Sequence, residues 1–100
     1  MDAIESPRQP VARRITVRGR VQGVGYRWFA RQTAHTLGVT GWVRNMPDGC
    51  VLLEVAAPED ALARFAAELR AGPPGSHVVD VRVEARDGGE PLPDRFVVIR

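Results

Sequence analysis

Hydrophobic and polar residues recur with two different periods along this chain, and each period predicts a type of secondary structure. Ile15 and Val17 alternate with polar neighbours, which predicts a half-buried strand over residues 14–21. Over residues 26–37 the apolar side chains instead fall at helical spacing, on one face of a helix. Gly38 follows the last of them and is typical of a helix C-terminal cap. The ordered part of the chain is therefore predicted to begin with a strand that leads into a helix.

The middle of the chain predicts a β-hairpin. A second strand is indicated over residues 40–45 and a third over residues 50–56. Residues 46–49 between them have the composition of a turn, because Pro47 presets its own φ and Gly49 suits the last position.

The last part of the chain predicts one more helix and two more strands. The helix begins at residues 58–60, where a proline and two acidic side chains suit a first turn, and ends at residues 72–74. Alternating valines indicate a fourth strand over residues 79–85. A loop at residues 87–94 then precedes a short final strand over residues 96–99.

This order of elements predicts the fold class. Strand, helix, strand, strand, helix, strand, plus one short strand, is the ferredoxin-like split βαβ plan of the α+β class. In this plan an antiparallel sheet carries two helices on one face. Residues 1–12 are polar, include two prolines and show no sustained period, so they are predicted to form a flexible arm. One domain over residues 13–100 remains.

Composition adds a bias toward arginine. The chain has 14 basic and 12 acidic side chains, a net charge of +2, and every basic residue is Arg. Half of these arginines lie in the first third of the chain. Arg is suited to two-pronged binding of phosphate or carboxylate. An N-terminal half built around a small anion would explain the bias, and so would an ordinary solvated face of a sheet.

Other features exclude several classes of protein. Cys50 is the only cysteine, so no intramolecular disulfide can form. His35 and His77 are far apart, and no Cys/His group has metal-ligand spacing. No long apolar run is present, so neither secretion nor membrane insertion is expected. We therefore expect a cytoplasmic protein without metal or membrane association.

The segment that carries candidate chemistry joins the first strand to the first helix; it comprises Gln22, Gly23, Val24, Gly25, Tyr26 and Arg27. Its two glycines permit close approach of a ligand to the backbone. Unpaired N–H groups of a first helical turn can surround an anion, and Arg27 can add a full charge. A tight connection followed by a surface arginine is the other interpretation of this segment alone. The segment is not a P-loop, because the chain has no Lys.

A second segment distinguishes these interpretations. Residues 19–27, GRVQGVGYR, and residues 37–49, LGVTGWVRNMPDG, together resemble the two signatures of the acylphosphatase family. The similarity continues through the prolines of residues 58 and 73–74 to the final residues 96–100, without large gaps. The chain departs from the family pattern at Tyr26, where Phe is common, a change that keeps the ring.

The resemblance implies a hydrolase that cleaves acyl phosphates without metal or cofactor. It implies that Arg27 binds the substrate phosphate together with the backbone N–H groups of residues 22–27. Asn45 corresponds to the residue that orients the attacking water, and the phosphate itself takes up the water's proton. We expect a monomer with a small pocket, little contact to the acyl side and hence broad specificity.

Two other functions remain to be compared with this one. The fold also serves as an RNA platform, but the first and third strands carry no aromatic residue for base stacking. A net charge of +2 is also a weak electrostatic footprint for nucleic acid. A non-catalytic anion-binding module is the other alternative, and the presence of both Arg27 and Asn45 argues against it.

Overall fold

The computed structural model describes residues 9–100, in which seven elements follow one another. They are β1 (Val11–Arg20), α1 (Tyr26–Leu37), β2 (Thr40–Asn45), β3 (Val51–Ala57), α2 (Glu59–Ala71), β4 (His77–Ala85) and β5 (Phe96–Ile99). These elements match the predicted types and order, with ends that differ by up to three residues. The differences arise from pairing: Val11 and Ala12 join β1 because they lie opposite the last residues of β3. Residues 1–8 of the predicted arm lie outside the described residues.

The strands form one sheet in the order β4-β1-β3-β2-β5. β1 and β3 lie in the centre and pair with each other and with β4 and β2 in antiparallel fashion. β5 pairs with β2 in parallel, so the sheet is mixed rather than wholly antiparallel as predicted. The ferredoxin-like α+β fold is confirmed. After β4 the chain crosses the end of the sheet to the opposite edge. There β5 runs in the direction opposite to β4, which is the direction of β2.

The core lies between the sheet and the two helices. Ile15 and Val17 of β1 are fully buried and lie opposite Leu53 and Val51 of β3, as the period-two pattern requires. α2 contributes a buried face that includes Phe65, whose ring meets that of Phe96 edge to face at 6.1 Å. Burial of this apolar face is the main driving force that holds both helices on the sheet.

Tyr26 connects the beginning of α1 to the end of α2. Its ring is buried in the core, and its hydroxyl donates a hydrogen bond of 2.6 Å to the carbonyl oxygen of Leu69. Leu69 lies in the last turn of α2, where carbonyl groups lack helical partners. Burial raises the pKa of Tyr26, so the phenol stays protonated and remains a donor. The first residue of α1 is thereby fixed relative to the core.

The sheet face opposite the helices carries a charged cluster around Glu54. This carboxylate is buried, and it accepts hydrogen bonds from Arg14 at 2.9 Å and from Arg86 at 2.7 Å. Burial alone raises the pKa of Glu54, but the two guanidinium groups outweigh that effect and leave the pKa below its usual value. The cluster fastens the segment after β4 to the sheet.

Neither helix within residues 9–100 is long and apolar enough to cross a membrane.

Candidate active site

The turn between β1 and α1 owes its shape to two glycines. Gly23 and Gly25 have φ angles of +78° and +76°, in the left-handed region that side chains other than glycine rarely adopt. A Cβ atom built at either position would meet nothing within 4 Å. The glycines are therefore required by backbone conformation and not by crowding. The open space beside them leaves the main chain accessible to a ligand.

The first turn of α1 is an electropositive helix end without a side-chain cap. Gly25 occupies the N-cap position, and the turn contains no acidic residue. The carbonyl oxygen of Gly25 accepts the first helical hydrogen bond, from Phe29 N–H at 3.0 Å. The N–H groups of the first turn have no partners within the helix and carry the positive end of its dipole. Such an arrangement binds phosphate or carboxylate.

Arg27 brings a full positive charge to the same turn. One terminal nitrogen, Nη1, donates to the carbonyl oxygen of Ile99 at 2.8 Å, so β5 holds the half-buried side chain in place. Among residues 9–100 no carboxylate forms a salt bridge with Arg27. The other guanidinium N–H groups are therefore available for a planar, two-pronged contact with an anion.

Asn45 ends β2 and faces the same space. Its Oδ1 atom is buried and has no hydrogen-bond partner among the described residues. An unpaired buried acceptor costs about 1–3 kcal/mol, and a bound ligand or water at this position would remove that cost. The end of β2 therefore holds the Asn45 carboxamide at the cavity, although its Oδ1 makes no hydrogen bond within residues 9–100.

Gln22 links the two halves of this site. Its Nε2 group donates to the carbonyl oxygens of Met46 at 2.8 Å and Cys50 at 2.9 Å. These carbonyls belong to the turn that begins directly after Asn45. The side chain of Gln22 therefore sets the distance between the glycine-containing loop and Asn45, a role that its place in the sequence did not predict.

One cavity of about 730 Å³ brings most of these residues together. Of the predicted site residues, those that line it are Gly23, Gly25, Tyr26, Arg27 and Asn45. Gln22 and Val24 do not line it: Gln22 reaches the hairpin turn, and Val24 packs against the core. The volume extends along α1 and β5, well beyond the small pocket that the sequence predicted.

The sequence analysis did not assign nine further lining residues to the site, and these include Trp28, Arg31, His35, Arg95 and Arg100. Arg31 could have been found, because it follows Arg27 by four residues and lies on the same side of a helix. Arg95 and Arg100 flank β5, and only the pairing of β5 with β2 brings them to α1.

The turn after Asn45 contains two titratable groups outside the cavity lining. The carboxylate of Asp48 accepts a hydrogen bond from the Cys50 N–H at 3.1 Å. Hydrogen bonding to Cys50, through its side chain first and its backbone second, lowers the pKa of Asp48. Burial raises the pKa of the Cys50 thiol, and Asp48 raises it further. Cys50 is therefore a protonated, buried residue rather than a nucleophile.

Together the fold and the cavity define a class: a ferredoxin-like α+β domain with an anion site where its first strand meets its first helix. Comparison with known proteins identifies the family. The sequence model named Acylphosphatase matches residues 13–98. A protein of Syntrophotalea carbinolica named acylphosphatase is 41% identical over 90 residues, covering 90% of this chain and 97% of the relative. An acylphosphatase of Thermotoga petrophila is 49% identical over 73 residues, covering 73% of this chain and 81% of that protein.

Solved structures agree with the sequence comparison. The crystal structure of acylphosphatase from Bacillus subtilis matches with a TM-score of 0.83 and 38% identity, covering 90% of this chain and 99% of that chain. This chain belongs to the acylphosphatase family.

Proposed function

We propose that this protein hydrolyses the carboxyl–phosphate bond of acyl phosphates, with Arg27 and Asn45 as its catalytic residues. The observation that carries the proposal is one cavity lined by the Arg27 guanidinium, which has no carboxylate partner among residues 9–100, by the uncapped N-terminus of α1 and by Asn45, whose Oδ1 is unpaired there. Family membership supports the reaction, and the geometry supports the role proposed for each group.

The phosphate binds at the start of α1. The N–H groups of the loop, residues 22–27, surround its oxygens, and Arg27 contributes a bidentate, permanently charged contact. The bond from Arg27 to Ile99 fixes the guanidinium before substrate arrives, so little side-chain entropy is lost on binding. These groups also stabilise the charge that spreads over the equatorial oxygens during transfer.

Asn45 orients the water that attacks phosphorus. Its carboxamide can accept a hydrogen bond from the water and can also donate one, and it does not repel an anionic substrate as a carboxylate would. The oxygen of the water forms a bond to phosphorus while the bond from phosphorus to the acyl oxygen breaks. The carboxylate leaves, and the water's proton moves to a phosphate oxygen. The carboxylate is a good leaving group, so positioning and charge stabilisation are sufficient.

The wider setting belongs to the same proposal. We place the protein in the cytoplasm as a monomer that acts on a small molecule without metal, cofactor or nucleic acid. The single cysteine, Cys50, is a free thiol, as is usual in a reducing compartment.

Hydrolysis of benzoyl phosphate in the presence of EDTA tests the proposal. We expect the wild type to turn over, and both Arg27→Ala and Asn45→Ala to lose about 10²–10³-fold in kcat/KM. Arg64→Ala, an exposed change on α2, is the matched control and should retain full activity. A folded wild-type protein that binds phosphate but does not hydrolyse benzoyl phosphate would instead be a non-catalytic anion-binding module.

A further inference from the structure

The cavity that holds the proposed catalytic residues continues as a groove between α1 and β5. α1 starts at the glycine-containing loop and runs away from it, and Arg31 lies one turn, about 6 Å, beyond Arg27. β5 is parallel to β2, which ends at Asn45, so β5 also runs toward the site. Arg95 precedes β5 and therefore lies at the opposite end of the groove from Ile99, about 13 Å away along the strand.

The walls of this groove are cationic. Arg31 and Arg95 both line it, and none of its lining residues in the described part of the chain is Asp or Glu. Within residues 9–100, neither arginine makes a salt bridge or a side-chain hydrogen bond. The Arg31 guanidinium lies 5.0 Å from the centre of the Trp28 ring, which is 59% exposed on the same wall. This cation–π contact places the Arg31 guanidinium beside Trp28 on the groove side of α1.

Uncompensated charges beyond the phosphate site favour a substrate with a second anion. When the phosphoryl group occupies the loop and Arg27, the acyl group has the groove as its continuation. A carboxylate or phosphate on the acyl group would then come within reach of Arg31 and, for a longer acyl group, of Arg95. Both are arginines, which suit planar or phosphate oxygens through paired N–H donors.

We infer that Arg31 and Arg95 form a second anion subsite, which gives this enzyme a preference for acyl phosphates whose acyl group carries an additional carboxylate or phosphate. This inference rests on the proposed function. It replaces the expectation of broad specificity, since the acyl side of the substrate meets charged walls instead of open solvent.

Aromatic acyl phosphates provide substrates of matched shape. 4-Carboxybenzoyl phosphate carries a carboxylate as the second anion at the end of a rigid ring, and 4-phosphonobenzoyl phosphate carries a phosphonate there in place of a phosphate. 4-Methylbenzoyl phosphate has a neutral group at the same position. The measured quantity is the ratio of kcat/KM for each anionic substrate to that for the methyl substrate. Wild type is compared with Arg31→Gln, Arg95→Gln and the double variant. Arg64→Gln is the control, because it removes the same charge from an exposed position on α2.

We expect the double variant to reduce the ratio about three- to ten-fold, in line with partly exposed ion pairs. The ratio is the readout because loss of two positive charges weakens the general attraction for the phosphoryl group equally in all three substrates. Arg64→Gln should leave the ratio at its wild-type value, and added salt should lower the wild-type ratio toward that of the double variant. The anionic substrate with the larger kcat/KM ratio in the wild type identifies carboxylate or phosphate as the preferred second anion.

Two results would overturn the inference and are distinguishable from each other. Equal ratios in wild type and double variant, with all substrates hydrolysed, would remove the subsite and leave the proposed function intact. Failure of the wild type to hydrolyse any of the three substrates would remove the proposed function and the subsite with it.

Discussion

Replacing Gln22 by leucine tests whether the two halves of the site are held in register by one side chain. Gln22→Leu keeps a side chain of similar volume, although one atom shorter, and removes both hydrogen bonds, to Met46 at 2.8 Å and to Cys50 at 2.9 Å. The first accepting carbonyl has a second donor in the N–H of Gly49, and the second has one in the N–H of Met46. Neither oxygen is left unpaired in the variant.

The expected loss of stability follows from the two hydrogen bonds removed and the donors that remain. Each net hydrogen bond is worth about 0.5–1.5 kcal/mol, and the remaining donors place the cost at the lower end. We expect the free energy of unfolding to fall by about 1–2 kcal/mol. The larger effect is on turnover, because a displacement near 1 Å between the loop and Asn45 can cost about 10²-fold in rate.

Urea denaturation and benzoyl phosphate kinetics measure the two effects separately. Gln32→Leu makes the same chemical change at an exposed position of α1 and should alter neither quantity much. If Gln22→Leu retained both the wild-type stability and the wild-type kcat/KM, the side chain would have no part in positioning the site.

Three further changes probe other contacts. Tyr26→Phe removes the donor to Leu69 and should lower the free energy of unfolding by about 1 kcal/mol in urea denaturation; no change would contradict the link between the helices. Glu54→Gln leaves two arginines without their carboxylate and should cost about 3 kcal/mol at neutral pH. Because the folded pKa of Glu54 is lowered, its contribution to the free energy of unfolding is fully present above the usual pKa of 4.5 and is lost as the pH falls below that value. Unfolding free energies that vary identically with pH in wild type and Glu54→Gln would refute this. Gly25→Ala and Gly75→Ala both place a side chain at positive φ and should cost about 1 kcal/mol each, but kcat/KM should fall only in the first; equal activities would separate the loop from catalysis.

Periodicity predicted most of the fold, because the longer elements have patterns that distinguish period two from helical spacing. β5 has only four residues, and so short a segment contains no signal for its direction or its neighbour. The burial of Glu54 was also hidden: alternation places it on the solvent side of β3, and Arg86, 32 residues away in sequence, covers it.

The candidate site was predictable only in part. The glycines at positive φ and the arginine of the first turn follow from local sequence, whereas Asn45 was connected to them by family resemblance. The contact of Arg27 with Ile99 and the approach of Arg95 to α1 depend on β5 joining the sheet beside β2. Contacts of this kind arise from tertiary structure, and no local spacing encodes them.

The central claim is a division of labour, in which Arg27 binds the phosphate and Asn45 acts on the water. Calorimetric titration of inorganic phosphate into wild type, Arg27→Gln and Asn45→Ala, with benzoyl phosphate kinetics on the same EDTA-treated samples, tests it most directly. We predict that Arg27→Gln loses about 10–10²-fold in phosphate affinity, the value of a charge-assisted contact, whereas Asn45→Ala keeps its affinity and loses turnover. Wild-type phosphate affinity in a folded Arg27→Gln, or wild-type turnover in Asn45→Ala, would contradict the account.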